Sequence, residues 1–221
     1  ISVNNNCIGL LYLSKPSYRH GFKYKCHLMK FKIISYDTVN NTNETAIDLI
    51  KRNKFENGFV YALSQKKGKG QYGRKWISKK GNLFGSIFFH LKKNYPSVEE
   101  FSLINPILNI NVVSNYCGKK NTFFKAPNDI YINKKKICGI LQEVIIKGSK
   151  KYLIVGIGIN ILSNPKITNY PSTNIYKETK KKPRLLKIIK QIIAKYEQFF
   201  YNLDLYKFSN FKLKSEKLSL N

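Results

Sequence analysis

Apolar and polar positions alternate from Met29 through Tyr36, as they do in a half-buried strand, and the period then changes. Thr38 to Asn53 reads as a helix, with Ala46, Ile47, Leu49 and Ile50 following the cap candidates Asn40, Asn41 and Thr42. Gly58 to Leu63 and Leu83 to Leu91 read as strands, separated by a glycine-rich basic loop over Lys66 to Lys75. Ser97 to Tyr116 has helical spacing, with Pro106 expected to kink or break it. Four further strands are predicted at Thr122 to Lys125, Ile130 to Ile132, Lys136 to Ile146 and Tyr152 to Leu162. The turn Lys147-Gly148-Ser149-Lys150 folds the last two into an antiparallel hairpin. Pro183 to Leu203 reads as one amphipathic helix, and 204–221 as a tail too short for another domain. Strands and helices interspersed without strict alternation predict an α+β domain over 29–203, with a mixed sheet and helices on one face.

Composition refines this picture. The chain has 221 residues, 43% of them hydrophobic, which is enough for a core despite a formal charge of +28. The bases are 36 Lys and only 4 Arg, alongside 24 Asn and 27 Ile. All three abundant residues have A/T-rich codons, so much of the basicity is expected to reflect base composition, and the shortage of Arg argues against sequence-specific DNA binding. What remains is a positive field that attracts anions.

Cys7, Cys26, Cys117 and Cys138 lie far apart without a C-x-x-C pair, so neither a zinc site nor a disulfide framework is indicated and a reducing, cytoplasmic location is expected. His20, His27 and His90 are the only histidines. His90 reads as a strand-end surface residue, which leaves little basis for a Ser-His-Asp or Cys-His centre. The only methionine is Met29, and the acid-free segment 1–28 is expected to be a leader or a stretch ahead of the native start. Its apolar run Cys7 to Leu13 is too short to span a membrane and lacks the basic flank of a signal peptide.

Gly68-Lys69-Gly70-Gln71-Tyr72-Gly73 spells G-x-G-x-x-G. A dinucleotide fold needs a helix directly after the third glycine, and here a turn-rich link follows instead. A phosphate loop needs G-K-[ST], whereas the last glycine is followed by Arg74-Lys75, and no H-R-D or D-F-G accompanies the loop as in a protein kinase. Two readings remain: a solvated surface hairpin, or backbone N–H groups and cations gathered for an anion, with Trp76, the chain's only tryptophan, stacked on a flat base.

In order along the chain stand Asn41-Thr42-Asn43-Glu44, Gln65 with Gly68 to Trp76, Gly81-Asn82-Leu83, Lys125-Ala126-Pro127-Asn128-Asp129, Lys136 to Glu143 and Gly156-Ile157-Gly158-Ile159-Asn160. Together they resemble the biotin protein ligases, from about Lys30 to about Phe200. The resemblance implies the catalytic fold shared with class II aminoacyl-tRNA synthetases, a mixed sheet flanked by helices. It also implies an enzyme that uses ATP and Mg²⁺ to convert biotin to biotinoyl-5′-AMP and passes the biotinoyl group to a lysine of a carboxylase's biotin carboxyl-carrier domain, with no membrane partner.

By that resemblance Lys125 sits between the biotin carboxylate and the α-phosphate, and Arg74 joins it in catalysis. Asn41, Thr42, Asn43, Gln65, Gly68, Lys69, Gly70, Gln71, Lys125 and Gly139 hold biotin. Trp76, Asn128, Asp129, Gly158 and Asn160 hold ATP, with Asp129 and Glu143 on the Mg²⁺ side. Glycine normally weakens a strand, so Gly156 and Gly158 suit a ligand lying close. Asn41 replaces the usual Ser, Lys69 and Gln71 replace Arg, and Ala126 replaces an aromatic residue. Loss of the loop Arg implies weaker retention of the adenylate. No room is foreseen for the C-terminal β-barrel or DNA-binding winged helix of some relatives, so a repressor role is not expected. The alternatives are a lipoate or octanoate ligase of the same fold, without its serine/histidine signature, and a basic single-strand nucleic-acid binder using Tyr72 and Trp76.

Overall fold

The computed structural model describes residues 29–166 and 170–219, so the expectation for 1–28 lies outside the described residues. Strands β1 (Ile33–Val39), β2 (Asn57–Gln65), β3 (Leu83–His90), β4 (Thr122–Lys125), β5 (Asp129–Ile132), β6 (Lys135–Lys147) and β7 (Lys150–Ile159) form one sheet. Its spatial order is β1-β2-β3-β7-β6-β5-β4, parallel only between β1 and β2 and antiparallel elsewhere. The sheet is mixed, as predicted. The β6–β7 hairpin closes at Lys147 opposite Lys150, with Gly148 at φ 56°, a value that such a tight turn favours in glycine.

Helices lie on both faces of the sheet rather than on one, which corrects that expectation. Helix α1 (Thr42–Lys51) packs Ala46, Leu49 and Ile50 onto Val60, Phe88, Tyr152 and Ile154. Helices α2 (Val98–Cys117) and α4 (Leu185–Tyr201) cover the other face, where Leu153, Val155, Ile157 and Ile159 of β7 meet Phe101, Ile104, Ile189 and Phe200. With both faces covered, β3 and β7 read as nearly continuous apolar runs.

The first helix starts later than its sequence pattern suggested. Backbone pairing carries β1 to Val39, and α1 begins only after Asn41, whose side chain accepts from the Glu44 N–H at 2.9 Å as an N-cap. Helix α2 runs unbroken through Pro106, contrary to the expected interruption. Phe101, Ile104, Ile107 and Leu108 are buried on either side of the proline, so packing outweighs the one lost backbone hydrogen bond. A short α3 (Ile175–Thr179) precedes α4. Within the segment read as a tail, Phe208–Leu218 forms α5, which packs against α2 and β4. No helix among the described residues is long and apolar enough to cross a membrane.

Candidate functional site

A cleft opens on the α1 face of the sheet, and three elements build it. The first turn of α1 presents Asn41, Thr42 and Asn43; the loop after β2 presents Lys69 to Trp76; the sheet floor presents Gly139, Gly156 and Gly158. The loop is a small hairpin of its own, closed by Trp76 N–H donating to Gly68 O at 2.9 Å and Gly70 N–H donating to Arg74 O at 2.6 Å. A Cβ on Gly68 would lie 2.5 Å from Trp76 O, so the closure requires glycine there. Lys69 Nζ anchors the loop to α1 by donating to Glu44 Oε1 at 2.5 Å. Lys69 holds the Glu44 carboxyl below its ordinary range, and Glu44 raises the Lys69 ammonium above its own.

At one end of the cleft a polar network holds the α1 side chains. Ser86 Oγ donates to Asn43 Oδ1 at 2.5 Å and lies 2.7 Å from Thr42 Oγ1. Asn43 Nδ2 donates to Glu143 Oε2 at 2.6 Å and to Leu141 O at 3.3 Å. Gln65 Oε1 accepts from the Thr42 N–H at 2.9 Å while its Nε2 donates to Ser78 Oγ at 3.0 Å. A Cβ on Gly156 would stand 2.6 Å from Asn43 Oδ1, so the bare strand makes room for this network.

At the other end Lys136 Nζ lies 2.7 Å from Asp129 Oδ2 and over the rings of Trp76 and Tyr170, at 5.8 and 5.2 Å from their centroids. The Trp76 ring lies on the glycine floor, where Cβ atoms on Gly158 and Gly139 would come within 2.5 and 2.8 Å of it. Asn128 Nδ2 donates to Ile140 O at 2.8 Å and ties the β4–β5 turn to β6. Asn160 lies in a smaller adjoining hollow beside Trp76, donating to Thr173 O at 3.0 Å. Asn82 accepts from the N–H groups of Ile161, Leu162 and Ser163 and fixes the chain leaving β7.

Four buried side-chain polar atoms among the described residues have no hydrogen-bond partner, and three of them line this cleft: Asn41 Nδ2, Trp76 Nε1 and Asp129 Oδ1. Burying such atoms unpaired costs about 1–3 kcal/mol each. Two donors at one end and the middle, and an acceptor at the other, describe a cleft shaped for a polar ligand.

The structure brings together Asn41, Thr42, Asn43, Gln65, Lys69, Gly70, Gln71, Arg74, Trp76, Asn128, Asp129, Gly139 and Gly158 as lining residues. Gly68 and Glu143 stand behind them, supporting the loop and Asn43. Arg74 reaches the lining but is turned toward the loop tip, its Nε donating to Gln71 O at 3.3 Å and its guanidinium 5.6 Å from the Tyr72 ring centroid.

Lys125 does not line the cleft, which corrects its expected position. It is exposed at the end of the edge strand β4, with its ammonium 5.2 Å from the Tyr131 ring centroid. Of the cations that line the cleft, Lys69, Arg74 and Lys75 are exposed, and Lys136 is the one set into it. Its position depends on a register shift between Ile130 and Tyr131 in the β5–β6 pairing, which places Lys136 opposite Tyr131. The available signal was its place three residues before Gly139 in the same quoted segment. Ser86 and Tyr170 were also missed, the first as a lone hydroxyl in an apolar strand.

Asp129 and Glu143 are likewise not brought together. Asp129 is paired with Gly139, four residues before Glu143 along β6, roughly 13 Å at ordinary strand rise. Glu143 is engaged by Asn43, and no group of three or more His, Cys, Asp or Glu side chains suited to a metal occurs among the described residues. The orphaned Asp129 Oδ1 does fit one Mg²⁺ that draws its other ligands from water and phosphate; Glu143 does not fit as a partner ligand.

Residues 36–160 match the model of the biotin/lipoate A/B protein ligase family. The chain belongs to this family. The bifunctional ligase/repressor BirA of Bacillus subtilis is 31% identical over 155 residues, covering 69% of this chain and 47% of the relative. The biotin–acetyl-CoA-carboxylase ligase of Paracoccus denitrificans is 28% identical over 109 residues, covering 48% of this chain and 45% of the relative. The chain thus spans about half the length of these curated relatives. Among solved structures, the biotin protein ligase of Aquifex aeolicus in complex with biotin and ATP superposes with a TM-score of 0.72 at 28% identity, covering 86% of this chain and 78% of that one. The Leishmania major biotin protein ligase shares the fold, with a TM-score of 0.77 at 23% identity. A sheet flanked by helices, as resemblance implied, is the fold of this family.

Proposed function

We propose that this chain catalyses ATP-dependent activation of biotin and its transfer to a lysine of a biotin carboxyl-carrier domain. The observation that carries this reading is the division of one cleft into a neutral hydrogen-bonding end and a cationic end, joined by a glycine floor. The ureido ring of biotin is neutral and offers both donors and acceptors, which suits Thr42, Asn43, Gln65 and the free Asn41 Nδ2. Its carboxylate then points toward Lys136.

In the first step a biotin carboxylate oxygen forms a bond to the α-phosphorus of ATP, and the bond from that phosphorus to pyrophosphate breaks. Two unit anions about 4 Å apart repel by about 4 kcal/mol at an effective dielectric near 20. Lys136, with Lys75 on the loop, opposes that repulsion and stabilises the charge gathering on phosphorus. Lys136 thus takes the role that resemblance had given to Lys125. The Trp76 ring, seated on the strand at Gly139 and Gly158, offers a flat surface for the adenine. Asp129 would hold Mg²⁺ through Oδ1, and the ion would supply charge neutralisation on the phosphates.

In the second step the acceptor amine attacks the acyl carbon of the biotinoyl adenylate, and AMP leaves. The Lys69–Glu44 contact holds the loop over the cleft and keeps water from the reactive anhydride. Isothermal titration of the protein with biotin and with lipoate tests the reading. Biotin is expected to bind at least a hundredfold more tightly; the reverse order would make this chain a lipoate ligase.

A further inference from the structure

A second, open hollow lies on the far side of the sheet from the cleft, bordered by α2, α4, α5 and the turn between the last two, with a volume of about 550 Å³. That is within the range of small-molecule sites, roughly 300–1,000 Å³. Its apolar wall is built from Ile107 and Leu108 of α2 and from Phe199 and Phe211, whose rings meet edge-on with centroids 5.8 Å apart. Around that wall stand Lys119, Lys195, Lys207 and Lys214, and among the described residues no Asp or Glu lines the hollow.

Lysines are common all over this chain, so their number alone means little. What sets these apart is convergence from α4, α5 and the turns that follow α2 and α4 onto one apolar surface, with no carboxylate among the described lining residues. Lys214 donates to the neutral Asn111 Oδ1 at 3.2 Å. Partial burial, followed by the charges of Lys195 and Lys119, pushes its ammonium below the ordinary lysine range. An anion among these groups would relieve that repulsion, and an apolar chain attached to it would cover Phe199 and Phe211.

We propose that this hollow binds a small single-tailed amphiphilic anion, its tail against Phe199 and Phe211 and its carboxylate or phosphate head among Lys119, Lys195 and Lys214. The site is separate from the cleft and does not depend on the function proposed for it. A free anion is favoured over a membrane or an acidic peptide because the hollow's volume of about 550 Å³ is that of a small-molecule site.

Isothermal titration of the full chain with decanoate and with decyl phosphate, both below their micelle concentrations, tests this. One equivalent of each is expected to bind, at least tenfold more tightly than acetate and more tightly than uncharged decanol. The double variant Lys195→Met with Lys214→Met should weaken binding at least tenfold, whereas Lys136→Ala in the cleft should leave it unchanged. Lys119→Glu with Lys207→Glu, at two exposed rim positions, provides the same readout if the first variant fails to fold. No saturable binding, binding indifferent to both double variants, loss of binding in Lys136→Ala, or association only with anionic lipid vesicles would overturn the proposal.

Discussion

Lys136 Nζ lies 2.7 Å from Asp129 Oδ2, a cation and a carboxylate facing each other across the β5–β6 pairing at the mouth of the glycine floor. The pair leaves Asp129 Oδ1 buried and unpartnered, and sets the Lys136 charge between Trp76 and Tyr170. Both partners are largely buried, so removing one leaves the other poorly compensated. Lys136→Ala should abolish adenylate formation, with a loss of at least a thousandfold, while Lys125→Ala should retain activity within a few-fold. Full activity in Lys136→Ala, or its loss in Lys125→Ala, would return the role to the edge-strand lysine; both variants are read by biotinoyl-adenylate formation in a single turnover.

Gly158→Ala should displace Trp76, because the new Cβ would lie 2.5 Å from the indole ring. As Trp76 is the only tryptophan, its emission reports the displacement directly. The expected outcome is a shifted spectrum and ATP binding weakened about tenfold or more, with biotin binding much less affected. An unchanged spectrum would show that the ring does not rest on this strand.

Ser86→Ala removes the hydroxyl that joins Thr42 to Asn43 beneath the cleft and leaves Asn43 Oδ1 without that donor. A loss of about 1–3 kcal/mol in unfolding free energy is expected from the orphaned acceptor, together with weaker biotin binding. Denaturant unfolding and biotin titration check the two effects separately.

The Glu44–Lys69 contact predicts a pH window for the loop. The folded-state carboxyl lies below its ordinary value of 4.5, so the contact's contribution is complete above that pH and fades as acid takes Glu44 through its lowered value. The ammonium is raised above 10.5, so the contribution persists at alkaline pH until Lys69 loses its proton. Trp76 emission should therefore be flat between about pH 5 and pH 10 and change on further acidification. Glu44→Gln should remove that acid limb and speed hydrolysis of the bound adenylate. Both side chains are about half exposed and screened by solvent, so the effect on global stability should be small.

Much of this architecture was legible because short-range patterns dictate it. The Asn41 cap, the turn at Gly148 and the Gly68 loop each follow from local backbone needs, and their places could be read without a partner strand. Lys136 was missed because its position in the cleft depends on the register of β5 against β6, which is a long-range property. Ser86 was hidden because β3 is buried on both faces and shows no alternation to mark which side faces the cleft. Helix α5 is hard to read from sequence because Lys212, Lys214 and Lys217 interrupt its few apolar positions, and only Phe211 and Leu218 pack against the core.

The most direct test of the account is biotin-dependent exchange of labelled pyrophosphate into ATP, which requires reversible adenylate formation and no carrier protein. The wild-type chain should exchange label only when biotin and Mg²⁺ are both present, and Lys136→Ala should not exchange. Absence of exchange in the wild type, or exchange driven equally by lipoate, would contradict the proposed reaction.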